Sequence, residues 1–152
     1  MMQLATILTP ERCLCRAPGT SKKRVLETIS QFIGEQVDQL DADELFGNLL
    51  ARERLGSTGL GGGIAIPHCR LKQLDRVIGA LITLEQPIDF EAVDDKPVDL
   101  LFTLVVPEQA TQEHLNTLAA LAELFSQPAF CERLRAADTP AALYAAAVEY
   151  TV

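Results

Sequence analysis

Two histidines and one run of glycines are the residues best suited to chemistry in this 152-residue sequence. His68 closes the stretch Gly61-Gly-Gly-Ile-Ala-Ile-Pro-His68. Pro67 fixes the backbone just before it, so a short strand and a proline can present the imidazole rigidly at a sheet edge. Imidazole titrates at about pH 6.5, which leaves a neutral nitrogen available as a nucleophile at cellular pH. His114 falls in the first turn of a helix that Thr111 can cap. Free backbone N–H groups and the positive end of the helix dipole make such a turn an anion site. A phosphoryl group on His68 could lie between these two elements if the fold brings them together. Each feature alone has a plainer reading. A lone histidine is more often a surface or core residue, and the glycines alone read as a mobile connector. That segment lacks both the Lys-Ser/Thr ending of a nucleotide P-loop and the dinucleotide spacing between a strand and a helix.

Other reactive side chains carry weaker signals. Arg52, Arg54, Ser57 and Thr58 precede the glycines; guanidinium and hydroxyl groups there could hold phosphate oxygens, or form a solvated helix end. Cys13 and Cys15 are too few for a zinc site, and their spacing is not that of a thioredoxin motif. Cys69 adjoins His68, but neighbours on an extended chain point to opposite sides, which argues against a Cys–His pair. All four cysteines are expected as free thiols of a reducing compartment. Asp94, Asp95 and Asp99 read as a turn and a strand edge.

The elements that must position these groups follow from periodicity. Ser21 caps a predicted helix from Lys22 to about Gln36, with Val25, Leu26, Ile29, Phe32 and Ile33 as its apolar stripe. A second helix starts near Asp41, with Glu44 completing a capping box and Gly56 as the C-cap. Leu45, Phe46, Leu49 and Leu50 face its core side. Ser57 to Gly63 holds four glycines in seven residues and is expected to be irregular. Ile64–Ile66 is a short predicted strand. Val77–Leu84 and Val98–Val106 are continuous apolar runs, as in strands buried on both faces, joined through an extended piece and turn over Glu85–Glu91. Leu115, Leu118, Leu121, Leu124 and Phe125 give the Thr111 helix its apolar side. Pro128 closes it and opens another helix to Ala136, and Thr139-Pro140 starts the last. The order predicts one α/β domain over residues 1–152, a sheet covered by helices.

Composition sets limits. Nearly half the residues are apolar and about a fifth charged (48% and 22%), which suits a globular core. No run approaches the roughly 20 apolar residues needed to span a bilayer. The N-terminus lacks the basic and apolar regions of a signal peptide, so a cytoplasmic protein is expected. With 13 basic and 21 acidic residues the net charge is −8, which opposes binding to nucleic acid or to an anionic membrane and favours a protein partner with a basic face.

Taken together, Arg52-Glu-Arg-Leu-Gly-Ser-Thr-Gly-Leu-Gly-Gly-Gly-Ile-Ala-Ile-Pro-His68 resembles the active-site segment of enzyme IIA domains of the fructose/mannitol type, from the bacterial phosphoenolpyruvate-dependent phosphotransferase system. The resemblance extends to Pro97–Pro107 and to Glu113-His114-Leu115, and covers Leu4 to Tyr150. Ser21-Lys-Lys-Arg24, the Arg-Glu-Arg-Leu-Gly-Ser-Thr-Gly stretch and the lack of a fused transporter segment are most similar to the nitrogen-regulatory branch. The resemblance implies a single-domain α/β sandwich, a mixed central sheet flanked by helices. It implies that His68 accepts the phosphoryl group, that His114 contacts it, and that Arg54, Ser57 and Thr58 build the rest of the phosphate pocket. Cys69 departs from the family, where a small residue commonly follows the histidine, and Asn116 stands where some relatives have a further histidine. No cofactor or metal and no independent turnover are implied. The implied partners are an HPr-like carrier as donor and regulated target proteins such as kinases or transporters. A sugar-specific IIA passing phosphate from His68 to a IIB component needs the same residues. A hydrolase using His68 or Cys69, and a binding module in which both histidines are incidental, are the remaining readings.

Overall fold

The computed structural model describes residues 3–109 and 112–150. Two short 3-10 turns, Leu4–Thr6 and Pro10–Arg12, lead into strand β1, Cys13–Ala17. Helix α1 spans Lys22–Gln36 and α2 spans Ala42–Arg54. Three short strands follow, β2 (Gly59–Gly61), β3 (Ile64–Ala65) and β4 (His68–Leu71). Two long ones come next, β5 (Ile78–Ile88) and β6 (Val98–Pro107), then helices α3 (Gln112–Phe125), α4 (Pro128–Ala136) and α5 (Pro140–Val148). The sheet order is β1-β5-β6-β3-β2, with β4 also on β6 beyond the end of β3. The sheet is mixed: β1 runs parallel to β5, β5 antiparallel to β6, and β3 and β4 both parallel to β6.

Helices cover both faces. Val25, Leu26, Ile29 and Ile33 of α1 and Leu45 and Leu49 of α2 pack on Ala80, Ile82, Leu101 and Val105. On the other face Leu121, Phe125, Phe130, Leu134 and Leu143 meet Leu81, Leu100, Phe102 and Leu104. Alternate residues of β5 and β6 therefore serve opposite cores, which is why both sequences are apolar without interruption.

The expected helices form with the expected signals. Ser21 Oγ accepts from Arg24 N–H at 3.2 Å, and Thr139 Oγ1 from Ala142 N–H at 3.1 Å ahead of Pro140. At α2 the cap bond differs: Asp41 Oδ1 accepts from Asp43 N–H at 2.9 Å, an Asx turn rather than a reciprocal box with Glu44. The Thr111 cap lies outside the described residues. Leu115, placed on the apolar side by spacing, is 57% exposed beside the histidine site.

The glycine run is more regular than composition suggests. Gly59–Gly61 pairs antiparallel with Ile64–Ala65 as a hairpin whose loop is Gly62-Gly63. Both loop residues have positive φ, +67° and +83°, as a type I′ turn demands. The turn is pinned from outside. Arg135 Nη2 donates to Gly62 O at 2.9 Å and lies 3.0 Å from Asp99 Oδ1, while Gly62 N–H donates to Asp94 Oδ2 at 2.9 Å.

Candidate functional site

His68 stands where β3 gives way to β4. Ile66 and Pro67 interrupt the strand, yet Ile66 N–H donates to Thr58 O at 3.1 Å and Pro67 O accepts from Leu104 N–H at 2.9 Å. The kink is thus held from both sides. His68 is in register with Leu104, whose side chain faces the α3–α5 core, so the imidazole projects toward α3. Its neighbour Cys69 aligns with Val105 and packs into the α1–α2 core. The two side chains diverge, as alternation requires.

The ring's protonation follows from one contact. His68 Nδ1 is 2.8 Å from Ile66 O. A carbonyl oxygen only accepts, so Nδ1 carries the hydrogen and Nε2 keeps the lone pair in the neutral ring. Burial pushes the His68 pKa down, with Arg52 adding to the drop; the Ile66 carbonyl and Glu53 oppose it. The nucleophilic neutral form is thereby favoured.

His114, in the first turn of α3, is 6% exposed, and its ring centroid lies 5.8 Å from that of His68 at a 49° tilt. Burial lowers its pKa, helped by His68 and Arg70. Its Nδ1 has no hydrogen-bond partner among the described residues. A buried polar atom left open beside a nucleophile is suited to a ligand's oxygen.

Together the two histidines line a cleft of about 420 Å³ with Asn48, Ala51, Arg52 and Leu55 from the end of α2 and Cys69 and Arg70 from β4. Arg52 Nη1 donates to Gly56 O at 2.8 Å, and Asn48 Nδ2 to Arg70 O at 3.3 Å. Two guanidiniums on an acidic chain thus line the cleft with His68, and Leu55 stands 85% exposed at the rim. A tetrahedral anion fits this chemistry. Burial drives the Cys69 thiol up to about 12, which keeps it protonated at neutral pH.

Arg54, Ser57 and Thr58 are not among the residues lining this cleft. Arg54 is exposed. Ser57 Oγ donates to Phe90 O at 2.8 Å and accepts from Gly59 N–H at 3.0 Å. Thr58 is buried against Glu53. Arg52, in the same sequence cluster, and Arg70 and Asn48, which carried no motif signal, supply the polar lining. A larger cleft of about 630 Å³ lies between the glycine hairpin and α3–α4. It contains neither histidine, and its one cation, Arg135, is committed to Asp99. Among the described residues no His, Cys, Asp or Glu cluster could hold a metal, and no helix is long and apolar enough to cross a membrane. The four cysteines are unpaired thiols.

Both the sequence and the fold match known proteins. Residues 6–149 match the family described as "Phosphoenolpyruvate-dependent sugar phosphotransferase system, EIIA 2", and the chain belongs to it. It is 50% identical over 149 residues to a nitrogen regulatory protein of Pseudomonas aeruginosa, covering 98% of this chain and 97% of the relative. The crystal structure of the nitrogen regulatory protein IIA-Ntr from Neisseria meningitidis superposes with a TM-score of 0.88 at 39% identity, covering 95% of this chain and 98% of that one. The fold is shared more widely. Enzyme IIA mannitol of Escherichia coli, solved in complex with phosphorylated enzyme IIB mannitol, gives a TM-score of 0.76 at 16% identity, covering 94% of this chain and 98% of that one. The chain is accordingly a IIA-type phosphocarrier, similar over nearly its whole length to nitrogen regulatory proteins.

Proposed function

We propose that His68 is the phosphoryl acceptor and that the charge state of its cleft is the regulatory signal. The observation that carries this is the Nδ1 contact with Ile66 O, which leaves Nε2 as the open nucleophile in a cleft also lined by two guanidiniums. An HPr-like carrier, loaded from phosphoenolpyruvate by a first enzyme, brings the phosphoryl group to the cleft. The Nε2–P bond forms as the bond from phosphorus to the carrier's leaving atom breaks, and that atom keeps the electron pair. His114 contacts the transferred oxygens through its open nitrogen, and Arg52 and Arg70 offset their charge. Arg54, at the end of α2, and Ser57 and Thr58, in the loop after it, serve the pocket from behind its lining. No small molecule is turned over by the chain alone.

Phosphorylation places roughly −1.5 to −2 charges on the new oxygens. Cytoplasmic target proteins, kinases or transporters among them, bind one charge state better than the other and so read the flux of phosphoryl groups. The test is incubation with phosphoenolpyruvate, the first enzyme and the carrier. Acid-labile phosphate should appear on the wild type and be absent from His68→Ala; label retained in that variant refutes the assignment. In a sugar-transport reading the same residues pass the phosphoryl group onward. Transfer of label from His68 to a IIB component would decide for it.

A further inference from the structure

Glu53 is a charged residue where a solvated helix end would be expected. It lies in the last turn of α2, next to Arg52 in sequence, yet it is only 7% exposed. Its Oε1 pairs with Lys22 Nζ at 2.7 Å, and Lys22 also lies over the Phe90 ring at 4.8 Å. The carboxylate holds Thr58 twice. The Thr58 N–H lies 3.1 and 3.2 Å from its two oxygens, and the Thr58 hydroxyl donates to Oε2.

A hydrogen-bonded path continues from there. Thr58 O accepts from Ile66 N–H at 3.1 Å, and Ile66 O accepts from His68 Nδ1–H at 2.8 Å. Lys22, Glu53, Thr58, Ile66 and His68 thus form one unbroken chain from α1 to the acceptor ring. A buried ion pair is a poor stabiliser for its own sake, because desolvation consumes most of the Coulomb gain, and an apolar pair would serve a purely structural need as well. What the pair supplies here is a fixed anion that sets the Thr58 backbone, and so the angle at which the Ile66 carbonyl meets the ring.

We propose that Lys22, Glu53 and Thr58 are positioning residues that fix the His68 ring and its Nδ1–H tautomer through the backbone of Ile66. The inference rests on His68 as the acceptor. The relay touches neither the phosphoryl group nor the partner; it acts by keeping Nε2 unprotonated and aimed into the cleft. A freed imidazole would sample the other tautomer, whose Nε2–H cannot attack.

The experiment uses the whole chain with ¹⁵N-labelled histidine. The ring-nitrogen shifts of His68 report its tautomer, and the initial rate of phosphorylation by the loaded carrier is measured alongside. Glu53→Gln should populate the Nε2–H tautomer and slow phosphorylation about tenfold, the scale on which partners that orient a histidine act. Thr58→Val, which removes only the hydroxyl, should shift both readouts in the same direction by less, and Thr58→Ser should restore them. If Glu53→Gln fails to fold, the Thr58 pair decides. Folded variants with an unchanged tautomer overturn the relay, whatever their rate. A shifted tautomer with an unchanged rate overturns its role in transfer. The tautomer needs no donor protein to be read, so a wild type that accepts no phosphate would defeat the acceptor assignment and leave this measurement standing.

Discussion

Gly62 and Gly63 form one turn, yet they should respond differently to the same small perturbation. Both have positive φ, so alanine at either is strained by about 1–2 kcal/mol relative to glycine. A Cβ on Gly62 would meet only Ile64 Cδ1 at 3.8 Å, an ordinary contact. On Gly63 it would stand 2.7 Å from Arg135 Nη2 and 3.1 Å from Asp99 Oδ1. The guanidinium must therefore move, disturbing its pairing with Asp99 and its bond to Gly62 O. That pair is about one-third exposed, with side-chain accessibilities of 34% and 28%, so screening limits its worth. About 0.5–1 kcal/mol for the ion pair and about 1 kcal/mol for the carbonyl bond are reasonable. Gly62→Ala is thus expected to cost about 1–2 kcal/mol and Gly63→Ala about 3 kcal/mol. At about 2–4 °C per kcal/mol, the second should melt roughly 3–8 °C below the first. Thermal unfolding of both variants, alone and with Arg135→Ala, measures this. In the Arg135→Ala background the excess cost at Gly63 should largely vanish. Equal losses in the two glycine variants, or an excess that survives without Arg135, would refute the reasoning.

Three further outcomes follow from the same fold. Burial holds both histidine pKa values below the ordinary value, so the unfolded chain binds more protons in that window. Their contribution to stability is full above about pH 6.5 and is lost as the pH falls from there through the folded values; urea midpoints from pH 7.5 to 5 should drop more steeply in wild type than in a His68→Gln/His114→Gln double variant. Phe102 is fully buried between β6 and α3, against Phe125 at 5.9 Å, and Phe102→Ala should cost about 3–5 kcal/mol by denaturant titration. Cys69, with its thiol raised to about 12, should resist alkylation by iodoacetamide at pH 7.5 in the native state and react on unfolding, as mass spectrometry would show.

Local signals served the long elements well. A serine cap and an apolar stripe were enough to bound α1, and a Thr-Pro pair to start α5, because both features act within one helical turn. The uninterrupted apolar runs marked β5 and β6, and the extended piece expected ahead of a turn within Glu85–Glu91 is the continuation of β5 to Ile88. Of the short strands only β3, expected over Ile64–Ile66 and found at Ile64–Ala65, was legible. Gly59–Gly61 is a strand only because Ile64 and Ala65 lie across from it, and β1 and β4 likewise owe their form to partners distant in sequence. The site shows the same division. The Gly-to-His motif pointed to His68, but its approach to His114 depends on β4 lying parallel to β6, with α3 following β6. Glu53, between Arg52 and Arg54, gave no signal of its own, since nothing local reveals that Lys22 reaches it.

The bond from His68 Nδ1 to the Ile66 carbonyl also settles the proton bookkeeping of the proposed transfer. With the hydrogen already on Nδ1, attack through Nε2 needs no general base. The phosphorylated ring then bears a formal positive charge, shared between its two nitrogens and steadied by the carbonyl dipole. A cationic imidazole is a good leaving group, since it departs as a neutral ring. Phosphoryl groups can therefore arrive and depart without a proton being taken up or released at either step. Neither charging nor discharging such a carrier would then wait on a proton transfer, a property that serves relay better than storage.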